Sequence, residues 1–267
     1  MTLDLPPIGL GTSGNTDPEQ CAESVANALE MGYRHVDTAQ MYDNERAVGE
    51  GIARAEVPRG EITLATKVHQ KNLAYDDAIH TAHESLDRLG VESVDLLYVH
   101  WPTRAYDPED SLAAFDELYE AGVTENVAVS NFTPELLDEA RELLSAPVVA
   151  NQVELHPLLP QRELREYAVA HDLTLVAYCP VMRGEVEDVP ELVEIAETHE
   201  ATPAQVSLAW IAGLENVVAI PKATGEDHLE ENLAAADLDL TDEERAMVDG
   251  IDEERRLIDP EEAAWNR

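Results

Sequence analysis

Apolar runs rich in Val, Ile and Leu recur eight times along the chain, beginning near Pro7, Arg34, Ile62, Val94, Asn126, Pro147, Leu173 and Asn216. The runs are continuous rather than alternating, as expected of strands buried on both faces, and so predict a parallel sheet. Between them lie stretches with apolar positions at helical spacing. These cover Asn44 to Ala55, Asp76 to Leu89, Pro108 to Ala121, Pro134 to Leu144, Gln161 to Ala170, Pro190 to His199 and Pro203 to Leu214, and a further one follows Asp227. The first helix has the clearest start: Asp17 is its expected N-cap, Pro18 stands in its first turn, and Gln20 completes a capping box. Val25, Ala28, Leu29 and Met31 then fall on its inward face.

Alternation of strand and helix over eight units, with no break that reads as a linker, predicts an α/β fold of the (β/α)₈ TIM barrel type. A single domain over residues 1–267 is expected. Chemistry in such a barrel belongs at the carboxyl ends of the strands. A doubly wound open sheet is the rival, because Gly9-Leu10-Gly11-Thr12-Ser13-Gly14 spells G-x-G-x-x-G and Asp37 stands where a ribose-binding acid would. Two details count against it. Asn15, Thr16 and Asp17 separate the third glycine from the helix it should open, and Leu5-Pro6-Pro7-Ile8 is too short and proline-broken for a central strand.

Charge adds a second constraint. Against 17 basic residues stand 56 acidic ones, a formal net charge of −39, while 44% hydrophobic content supplies a core. Such a surface argues against nucleic acid and anionic membranes as partners. No apolar run approaches the roughly 20 residues needed to span a bilayer, and no signal-peptide progression opens the chain. With only Cys21 and Cys179, a disulfide framework is not expected and a cytoplasmic location is. An acid-coated folded body suits molar salt, where the Debye length is about 3 Å, so a halophilic source is expected. Lysine survives only at positions 67, 71 and 222.

Asp37, Lys67 and His100 each close an apolar run, and Tyr42 follows Asp37 by five positions. Parallel neighbouring strands would gather all four at one mouth. Each alone has a plainer reading, as a loop acid, a half-buried aromatic, a partnered lysine or a core histidine. Together they form a device for delivering a proton to a carbonyl oxygen. An ammonium ~4.5 Å from a phenol at an effective dielectric of ~20 contributes about 3.7 kcal/mol, nearly three pKa units, which predicts Tyr42 titrating near neutrality. Asp37 is the anion expected to keep Lys67 charged. His100 would donate to the substrate oxygen.

Gly32-Tyr33-Arg34-His35-Val36-Asp37-Thr38-Ala39, Tyr42, Asn44-Glu45, Ala65-Thr66-Lys67-Val68 and Val99-His100-Trp101-Pro102 resemble the aldo-keto reductases. So do Val129-Ser130-Asn131-Phe132, Asn151-Gln152-Val153-Glu154-Leu155-His156-Pro157 and Ile220-Pro221-Lys222, in the right order over essentially the whole chain. The likeness is to the shorter prokaryotic, diketogluconate reductase-like members. It implies a (β/α)₈ barrel, NADP(H) or NAD(H) bound without a Rossmann fold, a small-molecule carbonyl substrate such as a sugar-derived or dicarbonyl compound, and a monomer.

The resemblance further implies that Ser130, Asn131 and Gln152 hold the carboxamide, that Tyr178 stacks on the nicotinamide with Val181 in the stretch after it, and that Gly11 and Thr12 meet the cofactor. Lys222, Thr224 and His228 would face the adenosine end, with Glu231 and Asn232 on the adenine. Trp101 would line the substrate mouth, and the tail ending Ala264-Trp265-Asn266-Arg267 would fold back near it. Ala223 and His228 depart from the serine and arginine common in NADP-preferring relatives, which implies a weakened preference for NADPH. Two other classes remain open. One is a non-catalytic nicotinamide-binding regulatory subunit on the same barrel; the other is a metal-dependent hydrolase using His69, His100 and His156. No metal is expected, because the His-x-His pair of such hydrolases is missing from the first strand.

Overall fold

In the computed structural model, which describes residues 3–266, eight parallel strands pair in chain order. They are β1 (Leu10–Gly11), β2 (His35–Asp37), β3 (Thr63–Val68), β4 (Leu96–Val99), β5 (Val127–Ser130), β6 (Val148–Glu154), β7 (Thr174–Tyr178) and β8 (Val217–Ala219). Bridges from Ile8 to Ala219 and from Gly11 to Lys222 join the last strand to the first and close the barrel. The decoy glycines belong to this closure. A Cβ on Gly11 would meet the Ile220 carbonyl oxygen at 2.6 Å, and one on Gly9 would meet His35 Nδ1 at 2.6 Å. Neither glycine opens a helix, so the open-sheet reading fails.

Strand side chains alternate between two layers because their period is two. Those turned inward, including Ala65, Leu96, Tyr98, Ala128, Val176 and Ile220, form an inner cluster that Leu3 and Leu5 pack against. Outward positions such as Val36, Leu64, Leu97 and Val129 join the larger cluster under the helices. Stepping two residues from an inward apolar position reaches a polar one at the strand end: Ala65 to Lys67, Tyr98 to His100, Ala128 to Ser130, Val176 to Tyr178. The same alternation that fills the core thus aims the candidate groups into the mouth.

Among the described residues the helices are α1 (Pro18–Met31), α2 (Glu45–Arg54), α3 (Tyr75–Leu89), α4 (Pro108–Glu120), α5 (Pro134–Leu143), α6 (Arg162–Ala170), α7 (Pro190–His199), α8 (Pro203–Ala212), α9 (Glu226–Ala234) and α10 (Asp242–Asp249). Alternation is not strict, because β7 is followed by both α7 and α8. Only half of the expected capping box on α1 forms: Asp17 accepts from the Gln20 N–H, while full boxes occur at Thr202 with Gln205 and at Thr241 with Glu244. On α1, Val25, Ala28 and Leu29 are buried as expected, with Met31 partly exposed. The acidic stretch after Asp237 is helical only over α10, which tucks Val248 inward.

Candidate active site

The four candidate groups converge. Lys67 Nζ donates to Asp37 Oδ1 at 2.5 Å, to the Thr38 carbonyl at 2.7 Å and to the Tyr42 hydroxyl at 3.4 Å. Gln152 Nε2 crosses the barrel from β6 to donate to the other Asp37 oxygen at 2.7 Å, so the carboxylate is fully engaged. Tyr42 and His100 meet edge to face with ring centroids 5.8 Å apart. Tyr42 comes from the short 3₁₀ turn Gln40–Tyr42 after β2, which Gln40 fixes by donating to the Thr81 carbonyl and accepting from the His69 N–H. Asn44 secures the neighbouring loop through the Thr12 and Asn15 carbonyls and the Thr38 hydroxyl.

Burial sets the protonation states. It pushes the Tyr42 phenol above its ordinary value of 10.0, and the attraction of Lys67 only partly offsets this. The expectation that Tyr42 titrates near neutrality is therefore corrected: desolvation of the phenol outweighs the attraction of the cation. Burial alone would strip Lys67 of its proton, but Asp37 and Tyr42 outweigh it and hold the ammonium above the usual lysine value. Burial, then Lys67 and His69, drive His100 well below 6.5, so it is neutral at pH 7. Its Nδ1 is buried without a hydrogen-bond partner. A bare lone pair is tolerated there more readily than an orphaned N–H, which assigns the proton to Nε2.

A polar chain lies beside the tetrad on β5 to β7. Ser130 donates to the Gln152 carbonyl at 2.9 Å, Asn131 Nδ2 donates to Ser130 Oγ and the His100 carbonyl, and the Tyr178 hydroxyl donates to Asn131 Oδ1 at 2.9 Å. Asn131 holds this position with φ 64°, a conformation asparagine tolerates better than most residues. Tyr178 and Val181 stay partly exposed at the mouth. Thr12 is turned to the Asp37 carbonyl, and Gly11 is consumed in barrel closure. Lys222, Thr224, His228 and Glu231 line the segment from β8 into α9, with Asn232 buried beneath. His228 Nδ1 lies 3.1 Å from a Glu231 carboxylate oxygen.

These residues fit a nicotinamide dinucleotide. At the barrel mouth a half-exposed tyrosine face adjoins amide and hydroxyl groups, and an exposed lysine lies at the far end of the β1–β8 seam. Trp101 is nearly buried under Trp265, their ring centroids 5.8 Å apart, so the tail does return over the mouth as expected; Arg267 lies outside the described residues. Arg256 stacks on Trp265 at 4.1 Å. A cavity of about 620 Å³ lies over α2 and α3, lined by Asp43, Arg46, Glu50, Lys71, Glu84 and Arg88 among others and by none of the four candidate groups.

Other contacts were not legible from motifs. The Glu154 carboxylate, sealed at the end of β6, accepts from His156 Nε2 at 2.9 Å and from the backbone N–H groups of Leu257 and Ile258 at 2.6 and 2.8 Å. Burial pushes this carboxyl up, but those donors outweigh it and hold it below its ordinary value. His156 is thereby committed to Glu154. Among the described residues no group of His, Cys, Asp and Glu is arranged to hold a metal. Among the described residues no helix is long and apolar enough to cross a membrane.

Fold and site together define a barrel oxidoreductase of the carbonyl-reducing class. Residues 7–253 match the model of the Aldo/keto reductase family. The chain is 40% identical over 269 residues to the methylglyoxal reductase DkgB of Salmonella typhi, covering 99% of this chain and all of that protein. It is 38% identical over 259 residues to a 9,11-endoperoxide prostaglandin H2 reductase of Trypanosoma cruzi, covering 96% and 91% of the two chains. A candidate 2,5-diketo-D-gluconic acid reductase B superposes with a TM-score of 0.93 at 36% identity, over 98% of this chain and 93% of that one. A Bombyx mori aldo-keto reductase in complex with NADP superposes with a TM-score of 0.89 at 27% identity, over 98% and 95%. The chain belongs to the aldo/keto reductase family and is an NAD(P)H-dependent carbonyl reductase. A regulatory, non-catalytic role finds no support among these relatives.

Proposed function

We propose that the chain reduces small aldehydes and ketones, dicarbonyl compounds such as methylglyoxal and sugar-derived ketones foremost, with Tyr42 as the general acid. The observation that carries this reading is the triple contact of the Lys67 ammonium with Asp37, Thr38 and Tyr42. A reduced nicotinamide held by Ser130, Asn131, Gln152 and Tyr178, with Lys222, Thr224 and Asn232 at its other end, would supply the hydride. Tyr42 gives its proton to the carbonyl oxygen as negative charge grows there. Lys67, 3.4 Å away, stabilises the phenolate left behind. Asp37 keeps that lysine ionised through the cycle, and Gln152 and Thr38 keep both in place. His100, neutral with its proton on Nε2, donates to the same oxygen and sets the face presented. Trp101 walls the mouth.

Surface composition extends the proposal to a protein of one barrel body, residues 1–267, acting as a monomer in a salt-rich cytoplasm. Net charge of −39 leaves strong self-repulsion in dilute buffer that molar salt screens. The test is turnover of a carbonyl panel with NADPH and NADH in molar and in dilute potassium chloride. Tyr42→Phe is expected to lower kcat by at least 10²-fold while leaving cofactor affinity within twofold. Equal turnover by this variant would remove Tyr42 from its role, and higher activity in dilute buffer would remove the salt adaptation.

A further inference from the structure

Glu154 ends β6 with its side chain wholly sealed from solvent and does not touch the tetrad. Both of its oxygens are used. Oε1 accepts from Leu257 N and His156 Nε2, and Oε2 accepts from Ile258 N, so one buried carboxylate grips two consecutive backbone N–H groups of the C-terminal segment. The other ring nitrogen of His156 has no partner, which leaves the imidazole serving Glu154 alone.

The segment so gripped is neither helix nor strand until a last 3₁₀ turn, and cannot hold itself in place. Beyond Ile258 it turns at Asp259, which accepts from Trp265 Nε1 at 2.9 Å and Asn266 Nδ2 at 2.7 Å, and it lays Trp265 against Trp101. Trp101 directly follows His100. The segment is also tied to the barrel by a backbone bond from Arg255 to Leu158 and by ion pairs of half-exposed side chains, Arg104 with Glu262 and Arg255 with Glu185. Exposed pairs contribute little and less in salt. The Glu154 hook is charge-assisted and buried, so salt screens it far less than those ion pairs.

We propose that Glu154 is a positioning residue that seats the C-terminal segment as one wall of the substrate mouth, and thereby sets how large a carbonyl substrate the barrel admits. The inference rests on the carbonyl-reducing reading above. Its substrate class is dicarbonyls and aldehydes whose carbon end reaches past the reacting oxygen to the Trp101–Trp265 pair.

The test compares Glu154→Gln and Ile258→Pro with wild type on methylglyoxal and phenylglyoxal, which share a reacting group and differ in bulk. The first variant keeps the shape but replaces one acceptor oxygen with a donor. The second removes one N–H from the tail and leaves the barrel untouched, so it decides the matter if Glu154→Gln fails to fold. Expected is a change of about tenfold in KM for phenylglyoxal with methylglyoxal kcat within twofold, together with faster hydrogen exchange at the Leu257 amide in both variants and at the Ile258 amide in Glu154→Gln. Unchanged amide protection, or an equal loss of kcat on both substrates, would overturn the proposal. Should wild type reduce neither dicarbonyl, the substrate reading fails while amide exchange still judges the anchor.

Discussion

Lys67 donates to Asp37 at 2.5 Å with both side chains shut away from solvent. The pair explains how a lysine can sit at the centre of a barrel and keep its charge. Removing one partner of a buried pair leaves the other uncompensated, at a cost of about 3–5 kcal/mol. Asp37→Asn is therefore expected to destabilise the fold by that order and to let burial pull the Lys67 pKa down. On the proposed roles, reduction should fall by ~10²-fold or more, since a neutral amine would no longer stabilise a Tyr42 phenolate. Urea unfolding and steady-state turnover check the two halves, and a variant matching wild type in both would show that the pair is ornamental.

Tyr42 gives a second expectation, about pH. With Tyr42 as the proposed proton donor, reduction would require the phenol protonated, and burial places its pKa above 10.0. His100 can donate from Nε2 whether neutral or protonated, and its pKa lies well below 6.5. Neither group then titrates across the neutral range. Turnover under saturating substrate should be flat from about pH 7 to about pH 9, with any alkaline decline above that. A limb centred near neutrality would restore the simple Coulomb argument and contradict the burial one.

The contrast shows what a sequence carries and what it does not. Asp37, Lys67 and His100 were legible because each closes a buried run, and a period of two aims run-ending residues into a closed barrel. Chain-order pairing followed from alternation, although the two proline-led helices after β7 break the count. Desolvation of Tyr42 was not legible, because it depends on how the loop from Ala39 to Asn44 packs over the strand ends. Gln152 reaching Asp37 joins residues 115 apart in sequence, a contact made only by closure. The grip of Glu154 on Leu257 and Ile258 left no mark at all, since backbone N–H groups are common to almost every residue.

His35 offers a test that avoids the chemistry. It lies buried in β2 with both ring nitrogens unpartnered, and burial, eased a little by Asp37, pulls its pKa from 6.5 to about 4. Between those values the unfolded chain binds a proton that the native state refuses, so stability rises with pH there. The contribution is present in full above 6.5 and is lost as pH falls towards about 4. At pH 5 the loss relative to pH 7 is about 2 kcal/mol. His35→Leu gives up no hydrogen bond. Its stability relative to wild type should improve by that amount between pH 7 and pH 5, measured by urea unfolding at fixed salt. A difference independent of pH would mean that the ring is protonated in the native barrel or reached by water.

The adenosine end yields the last prediction. His228 stands beside Glu231 at 3.1 Å, so a 2′-phosphate docked at this end would meet a carboxylate as well as an imidazole. Ala223 offers no hydroxyl, which leaves Lys222 and Thr224 as the groups in that segment able to favour the phosphate. A weak NADPH preference follows. His228→Arg supplies a permanent planar cation, although Glu231 competes for it. The single variant should raise affinity for NADPH relative to NADH by about threefold, and His228→Arg with Glu231→Gln by about tenfold, roughly 1.4 kcal/mol. Quenching of tryptophan fluorescence on titration with each dinucleotide reads this directly, in dilute and in molar salt. The gain should shrink as salt rises, because these side chains are exposed and the Debye length contracts to about 3 Å at 1 M. An unchanged ratio in both variants would mean that residue 228 does not face the phosphate.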